Sequence, residues 1–203
     1  MRHALIALCL LGVSCSDEGA AGAAGQRTAL ASARPETAAA ATLTVASSAF
    51  AAGGTIPLRF SAYGEGASPE IAWSGVPAGT LSLALMMEDP DAVSVKPFVH
   101  WLAWDIDPTL GRLPENLTGA DGQRLTLAQG RNSRGKIGYF GPRPHGTKPH
   151  RYHFQLFALD ARPALAAGAD RETLLAAMKG HVLAKGDLLG LFAAPKRERT
   201  SAR

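Results

Sequence analysis

From Leu43 onward the chain is built of short runs in which apolar and polar positions alternate, broken by Gly and Pro. In Thr80 to Glu88, the residues Leu81, Leu83, Leu85 and Met87 share one parity. Phe98, His100, Leu102, Trp104 and Ile106 do so in the next run, and Tyr152, Phe154, Leu156 and Ala158 in the run from Tyr152 to Asp160. Successive side chains leave a strand on opposite faces, so a period of two predicts β-strands with at least one buried face. Thr55 to Phe60 and Leu188 to Ala193 are read as two further strands. One helix is expected after Asp170, a good N-cap, with Leu174, Leu175, Met178 and Val182 as a core-facing stripe at helical spacing. The pattern predicts a mostly β domain with a few short helices. A Gly- and Pro-rich connection from Pro108 to Pro149 is longer than ordinary linkage, and loops of that length tend to carry function.

The N-terminal part follows other rules. Arg2 and His3 precede an apolar run, Ala4 to Val13, of signal-peptide rather than membrane-spanning length. Leu11-Gly12-Val13-Ser14-Cys15 resembles the bacterial lipobox, in which the Cys receives a diacylglycerol and becomes the new N-terminus, although Gly12 stands where that pattern prefers Leu. The expectation is a signal peptide over 1–15, lipidation at Cys15, and a periplasmic protein touching the membrane through its lipid anchor alone. An ordinary cleaved secretory signal is the alternative. Residues 16–41, rich in Ala, Gly, Ser and Thr, hold little that could offset chain entropy and are read as a flexible tether. The folded domain is placed at 42–195 and a basic tail at 196–203.

Composition narrows the classes of function. The chain has 203 residues, enough for one domain with a sizeable core. Its net charge of +4 is mild, and Lys196, Arg197, Arg199 and Arg203 crowd the end, which fits a solvated tail and no nucleic-acid partner. The only two cysteines, Cys9 and Cys15, precede the domain, so its stability owes nothing to disulfides or metal thiolates, and no Cys nucleophile is available. No cofactor and no metal are implied. Among the six histidines, His145, His150 and His153 lie close in sequence, but His150 and His153 have opposite parity on a strand and should point apart.

Three segments concentrate polar chemistry. In Glu88-Asp89-Pro90-Asp91 the proline stops a strand and leaves Asp89 at the sheet rim. His100 is embedded in the apolar Phe98-Val99-His100-Trp101-Leu102. The rigid Gly138-Tyr139-Phe140-Gly141-Pro142-Arg143-Pro144-His145-Gly146 leads to His150-Arg151-Tyr152, where His150 and Tyr152 face one way and Arg151 the other. Each has a plain structural reading too: an Asx-capped turn at Asp89 and a hydrogen-bonded core histidine at His100.

Taken in order, these pieces carry a resemblance. Ser68-Pro69-Glu70-Ile71-Ala72-Trp73-Ser74-Gly75-Val76-Pro77, Asp89-Pro90-Asp91, Phe98-Val99-His100-Trp101, Gly138-Tyr139-Phe140-Gly141-Pro142, His150-Arg151-Tyr152-His153-Phe154 and Ala184-Lys185-Gly186-Asp187-Leu188-Leu189-Gly190 together resemble the phosphatidylethanolamine-binding protein family, more narrowly its bacterial Raf-kinase-inhibitor-like branch. The resemblance spans about Leu43 to Phe192. It implies a β-sandwich with a ligand pocket at one end, formed by Asp89, His100, His150 and Tyr152, walled by Pro144 and Gly141 and flanked by Phe98. Arg143 and His145 depart from the family's usual residues and add positive potential at the rim.

Imidazole N–H groups and a tyrosine hydroxyl in one place favour an oxyanion such as phosphate or carboxylate. The function implied is a non-catalytic binding protein for a small anionic ligand, a phospholipid head group among the candidates. A second reading is an inhibitor or interaction protein whose 108–149 loop docks on a protease or kinase-like partner. A third, a hydrolase using His100 and His150 as acid and base, lacks a Ser or Cys nucleophile within the matched motifs.

Overall fold

The computed structural model describes residues 29–117 and 119–196. The expected signal peptide with Cys15, the tether up to residue 28 and the tail beyond Lys196 lie outside the described residues.

Six strands form one sheet and three form another. The larger sheet runs β1 (Ala41–Thr42), β9 (Val182–Phe192), β8 (His150–Leu159), β4 (Ser82–Asp89), β5 (Phe98–Ile106) and β7 (Ala128–Gln129), antiparallel except for the β1–β9 pair. The smaller joins β2 (Thr44–Ala46), β3 (Ile71–Ser74) and β6 (Arg112–Leu113). Leu83, Leu85 and Met87 of β4, Tyr152, Phe154 and Leu156 of β8, and Val45, Ile71, Trp73 and Leu113 of the small sheet share one core, so the two sheets form a sandwich. The large sheet is buried on its outer face as well. There Ala84, Met86, Leu102, Trp104 and Phe157 pack under Leu174, Leu175 and Met178 of α2 (Arg171–Met178). This explains why β4 is buried at every position, an apolar run rather than a clean alternation. A short α1 (Gly119–Arg124) lies in the long connection.

The mostly β sandwich agrees with the sequence reading, and four local expectations are corrected. Thr55 to Phe60 is no strand: Thr55 makes an isolated bridge to Leu191, and Pro57 opens a 3-10 turn over Leu58–Phe60. Val182 does not extend the helical stripe, because α2 ends at Met178, Gly180 turns the chain at φ 81°, and Val182 begins β9. The single face assigned to β5 is broken by two bulges. Leu102 and Trp104 point outward to α2 while Ile106 points into the sandwich.

The fourth correction concerns the tether. Residues 29–37 run over the outer face of the large sheet, before Ala41 joins that sheet in β1. Ala31 and Thr37 are fully buried, and two 3-10 turns, Ala31–Ala33 and Pro35–Thr37, shape the segment. The Ala-rich composition suggested slack, but a small side chain is what lets a backbone lie close to a sheet. The strap is held by polar groups of that sheet. Ala31 N–H donates to Glu88 Oε2 at 2.7 Å, Ser32 N–H to Gln155 Oε1 at 2.7 Å, and Lys185 Nζ to the Ser32 carbonyl at 2.7 Å. Beneath it, the fully buried Glu88 pairs with Arg171, whose Nη2 donates to the Ala29 carbonyl at 2.8 Å.

Candidate functional site

Asp89 closes β4, His100 stands two residues into β5, and His150 opens β8. Because the three strands are adjacent and antiparallel, these positions meet at one end of the sheet. A bulge sets the aim of His100. Met87 pairs with Trp101 and Glu88 with Val99, which leaves His100 as the extra residue between them. Val99 on one side of it belongs to the outer core and Trp101 on the other to the inner core. Ser133 stabilises the bulge, accepting the Val99 N–H on its hydroxyl at 2.9 Å and donating its own N–H to the Val99 carbonyl at 2.9 Å.

His100 is then tied to the loop. Phe140 N–H donates to the His100 carbonyl at 2.8 Å, and His100 Nδ1 donates to the Phe140 carbonyl at 2.7 Å. The ring stacks on Phe140 at 5.7 Å, tilts against Phe98 at 4.8 Å and meets Tyr152 edge-on at 5.1 Å. Burial among these rings pushes its pKa down to about 4, so the imidazole is neutral at neutral pH.

Asp89 is buried and joins two elements. Its Oδ2 accepts from His150 Nδ1 at 2.8 Å and its Oδ1 accepts the Asp91 N–H at 2.8 Å. Asp91 in turn grips Arg151 through the backbone N–H at 2.9 Å and both Nε and Nη2, a forked ion pair that draws its own pKa down to about 2. The Asp-Pro-Asp turn is thereby fastened to the first two residues of β8.

These groups surround a cavity of about 260 Å³ lined by Asp89, His100, His150, Phe98 and Pro144, with Arg134, Arg143 and His145 among the rest of its wall. Five of the seven expected ligand-binding residues therefore line it. Tyr152 does not: it is fully buried, and its hydroxyl finds no hydrogen-bond partner among the described residues. Gly141 does not either, yet it shapes the wall. A Cβ there would come within 2.6 Å of the backbone of Phe60, Ser61 and Ala62, so only glycine lets the loop dock, sealed by Ala62 N–H to the Pro142 carbonyl at 3.0 Å.

The sequence reading missed Phe140 as a lining side chain and the loop residues Ala92, Val93 and Ser94. Nothing in the small and apolar residues of this turn announces that it will close a pocket. Ser94 brings a hydroxyl near the Asp89–His150 pair, but that hydroxyl donates to the Lys96 carbonyl, and no hydrogen bond joins it to His150. His153 is on the other side of β8, with Nδ1 on Asp187 Oδ2 at 2.7 Å.

The profile of the phosphatidylethanolamine-binding protein family matches residues 46–193. The chain belongs to this family. Among similar members is a UPF0098 protein of the archaeon Methanothermobacter thermautotrophicus, 44% identical over 139 residues that make up 68% of this chain and 91% of the relative. Another is a UPF0098 protein of Chlamydia muridarum, 38% identical over 150 residues, 72% of this chain and 95% of that one. Among solved structures, a phosphatidylethanolamine-binding protein homologue from Chlamydia trachomatis superposes with a TM-score of 0.69 at 34% identity, covering 77% of this chain and all of the other. YbcL of E. coli, described as a member of the mammalian family, does so with 0.70 at 27% identity, covering 76% of this chain and all of YbcL. The family span omits residues 29–45, so the strap over Glu88 lies outside what the match covers.

Proposed function

We propose that this member of the family is a non-catalytic binding protein for a small ligand bearing an oxyanion, a phosphate or carboxylate, such as a phospholipid head group. It is exported and anchored through Cys15. The observation that carries the reading is the cavity with the buried Asp89–His150 pair at its base and Arg134, Arg143 and His145 on its wall. The guanidinium groups of Arg134 and Arg143 attract an anion, and Arg offers the forked N–H geometry that oxyanions accept. At about 260 Å³ the cavity falls below the ~300–1,000 Å³ of sites for drug-sized ligands. It suits a head group and not a whole lipid. The buried carboxylate opposes a bare anion, so binding is weak. Ser94, engaged elsewhere, gives the pair no nucleophile to activate.

Calorimetric titration with inorganic phosphate and phosphorylethanolamine tests this. Saturable binding of at least one is expected, and absence of heat with both at millimolar concentration contradicts it.

A further inference from the structure

The outer face of the large sheet carries polar side chains that serve the strap. Glu88 of β4 and Gln155 of β8 are fully buried, Arg171 of α2 is nearly so, and the layer around them is apolar. Burying such groups is unfavourable unless each finds a partner. Much of what they find is peptide backbone. Glu88 and Gln155 accept the N–H groups of Ala31 and Ser32, and Arg171 donates to the Ala29 carbonyl. Lys185 Nζ donates to the Ser32 carbonyl at 2.7 Å and the Thr37 carbonyl at 3.2 Å, and makes no other hydrogen bond among the described residues. Together they form a slot that reads a main chain. The strap's side chains are fully buried at Ala31 and Thr37, while those between are half-buried or exposed.

The strap is also a unit in itself. Thr37 Oγ1 donates to the carbonyls of Ala31 at 2.6 Å and Arg34 at 3.0 Å, and Arg34 pairs with Glu36 at 2.8 Å. The Arg34 N–H bonds to the Ala31 carbonyl and the Ala38 N–H to that of Pro35. Its shape is therefore kept within the segment as well as by the sheet. The link to the domain is slight by contrast. Ala39 and Ala40 make no hydrogen bond among the described residues before Ala41 joins β9. A preformed segment, gripped through its main chain and hung on a short link, exchanges between identical copies at low cost, because the same bonds form in either chain.

We infer that the slot on the outer face also takes the strap of a second copy, so that two chains clasp each other through residues 29–37. Within one chain the short link supplies the strap at high effective concentration, so the closed monomer prevails in dilute solution and the clasped form grows with chain density. The face used lies on the α2 side of the sheet, apart from the cavity, so the clasp does not depend on what the cavity binds.

Two full-length variants test this, each unable to close on itself. Ala31→Trp keeps the slot and disables the strap, because the space around a fully buried methyl has no room for an indole. Lys185→Glu keeps the strap and disables the slot, setting a carboxylate against the Ser32 and Thr37 carbonyls. In a mixture, the intact strap of the second enters the intact slot of the first. Sedimentation is expected to show a complex of one copy of each, with twice the mass, at concentrations where either variant alone is monomeric. A single thermal transition checks that each domain is folded, and Lys185→Met replaces Lys185→Glu if that one is not. No complex up to ~1 mM, the effective concentration that a short link supplies, overturns the inference. So does a complex formed as readily by either variant alone, which would place the contact elsewhere. Binding of a synthetic peptide of residues 29–38 to Ala31→Trp, with the two chains staying apart, overturns it too: the slot would then read peptides without joining copies.

Discussion

Glu88 and Asp89 are consecutive on β4 and serve opposite faces of the same sheet. Asp89 accepts from His150 at the base of the pocket, and Glu88 pairs with Arg171 and accepts the Ala31 N–H beneath the N-terminal strap. The bulge at His100 lies across from the step between Met87 and Glu88, since Met87 is matched with Trp101 and Glu88 with Val99. The geometry of the pocket and the seating of the strap are thus fixed by one strand end.

Because the strap fills part of the outer core, a chain beginning at Ala41 should be less stable than one beginning at Ala29. It loses the burial of Ala31 and the bonds to Glu88, Gln155 and Lys185. Net contributions of ~0.5–1.5 kcal/mol per hydrogen bond, partly restored by water, give a loss of about 2 kcal/mol, or a melting temperature lower by roughly 4–8 °C. Equal melting temperatures would mean that the strap merely rests on the sheet. Arg171→Met leaves the Glu88 carboxylate buried without its partner and should cost more, about 3–5 kcal/mol.

Stability should also fall with acid in a defined window. His100 has an ordinary pKa of 6.5 and is held down to about 4 in the folded protein. The unfolded chain therefore binds the extra proton first, and folding stability declines as pH drops from 6.5 to about 4, then levels for this group. The shift corresponds to about 3 kcal/mol. Urea unfolding at neutral pH and near pH 4.5 should show the loss, and His100→Gln should flatten it. Asp91 acts in a separate window, losing its contribution as pH falls from 3.8 to about 2, and the Arg151 pair is exposed enough for that contribution to be small.

Gly141→Ala should damage the pocket from outside it. The added methyl meets the backbone of residues 60–62, which cannot rotate away, so the loop must shift. Overpacking of this kind costs about 1–3 kcal/mol. Since Phe140 both donates to and accepts from His100, the displaced loop should also lower affinity for phosphorylethanolamine in calorimetry, whereas Gly66→Ala, strained at its φ of 70° but with no neighbour to push aside, should cost stability and leave that affinity unchanged.

Much of this was legible in the sequence, and the failures share a cause. The period-two runs located β4, β5 and β8, and Asp170 marked the start of α2, where its side chain accepts the Thr173 N–H. Asp89, His100 and His150 could be grouped because strand ends carry them. Periodicity assumes an unbroken ladder, however, and β5 has two bulges that exchange the faces of its residues. Tyr152 shares the parity of His150, yet only the strand's first residue clears the core, and two positions further in the ring is covered. Residues 29–41 were misread because composition reports what a segment can bury by itself. The partners that hold this one, Glu88, Gln155, Arg171 and Lys185, are 57 or more residues away.

Parity does separate two nearby histidines. His150→Ala removes a group lining the cavity and should weaken phosphate binding by roughly ten- to hundredfold. His153→Ala, whose ring pairs with Asp187 away from the cavity, should leave affinity within about twofold and lower the melting temperature instead. Calorimetry and thermal unfolding of both variants check this, and equal losses of affinity would show that the assignment of faces is wrong.

The most direct test of the central claim follows the histidine rings of the full chain by NMR during a titration with phosphorylethanolamine. His100 and His150 line the cavity, while His153 and His181 are paired with Asp187 and Asp160 elsewhere. The account predicts that the ring signals of His100 and His150 shift together along one saturable curve while those of His153 and His181 stay in place. Unmoved signals from His100 and His150, or equal movement of all four, would contradict it.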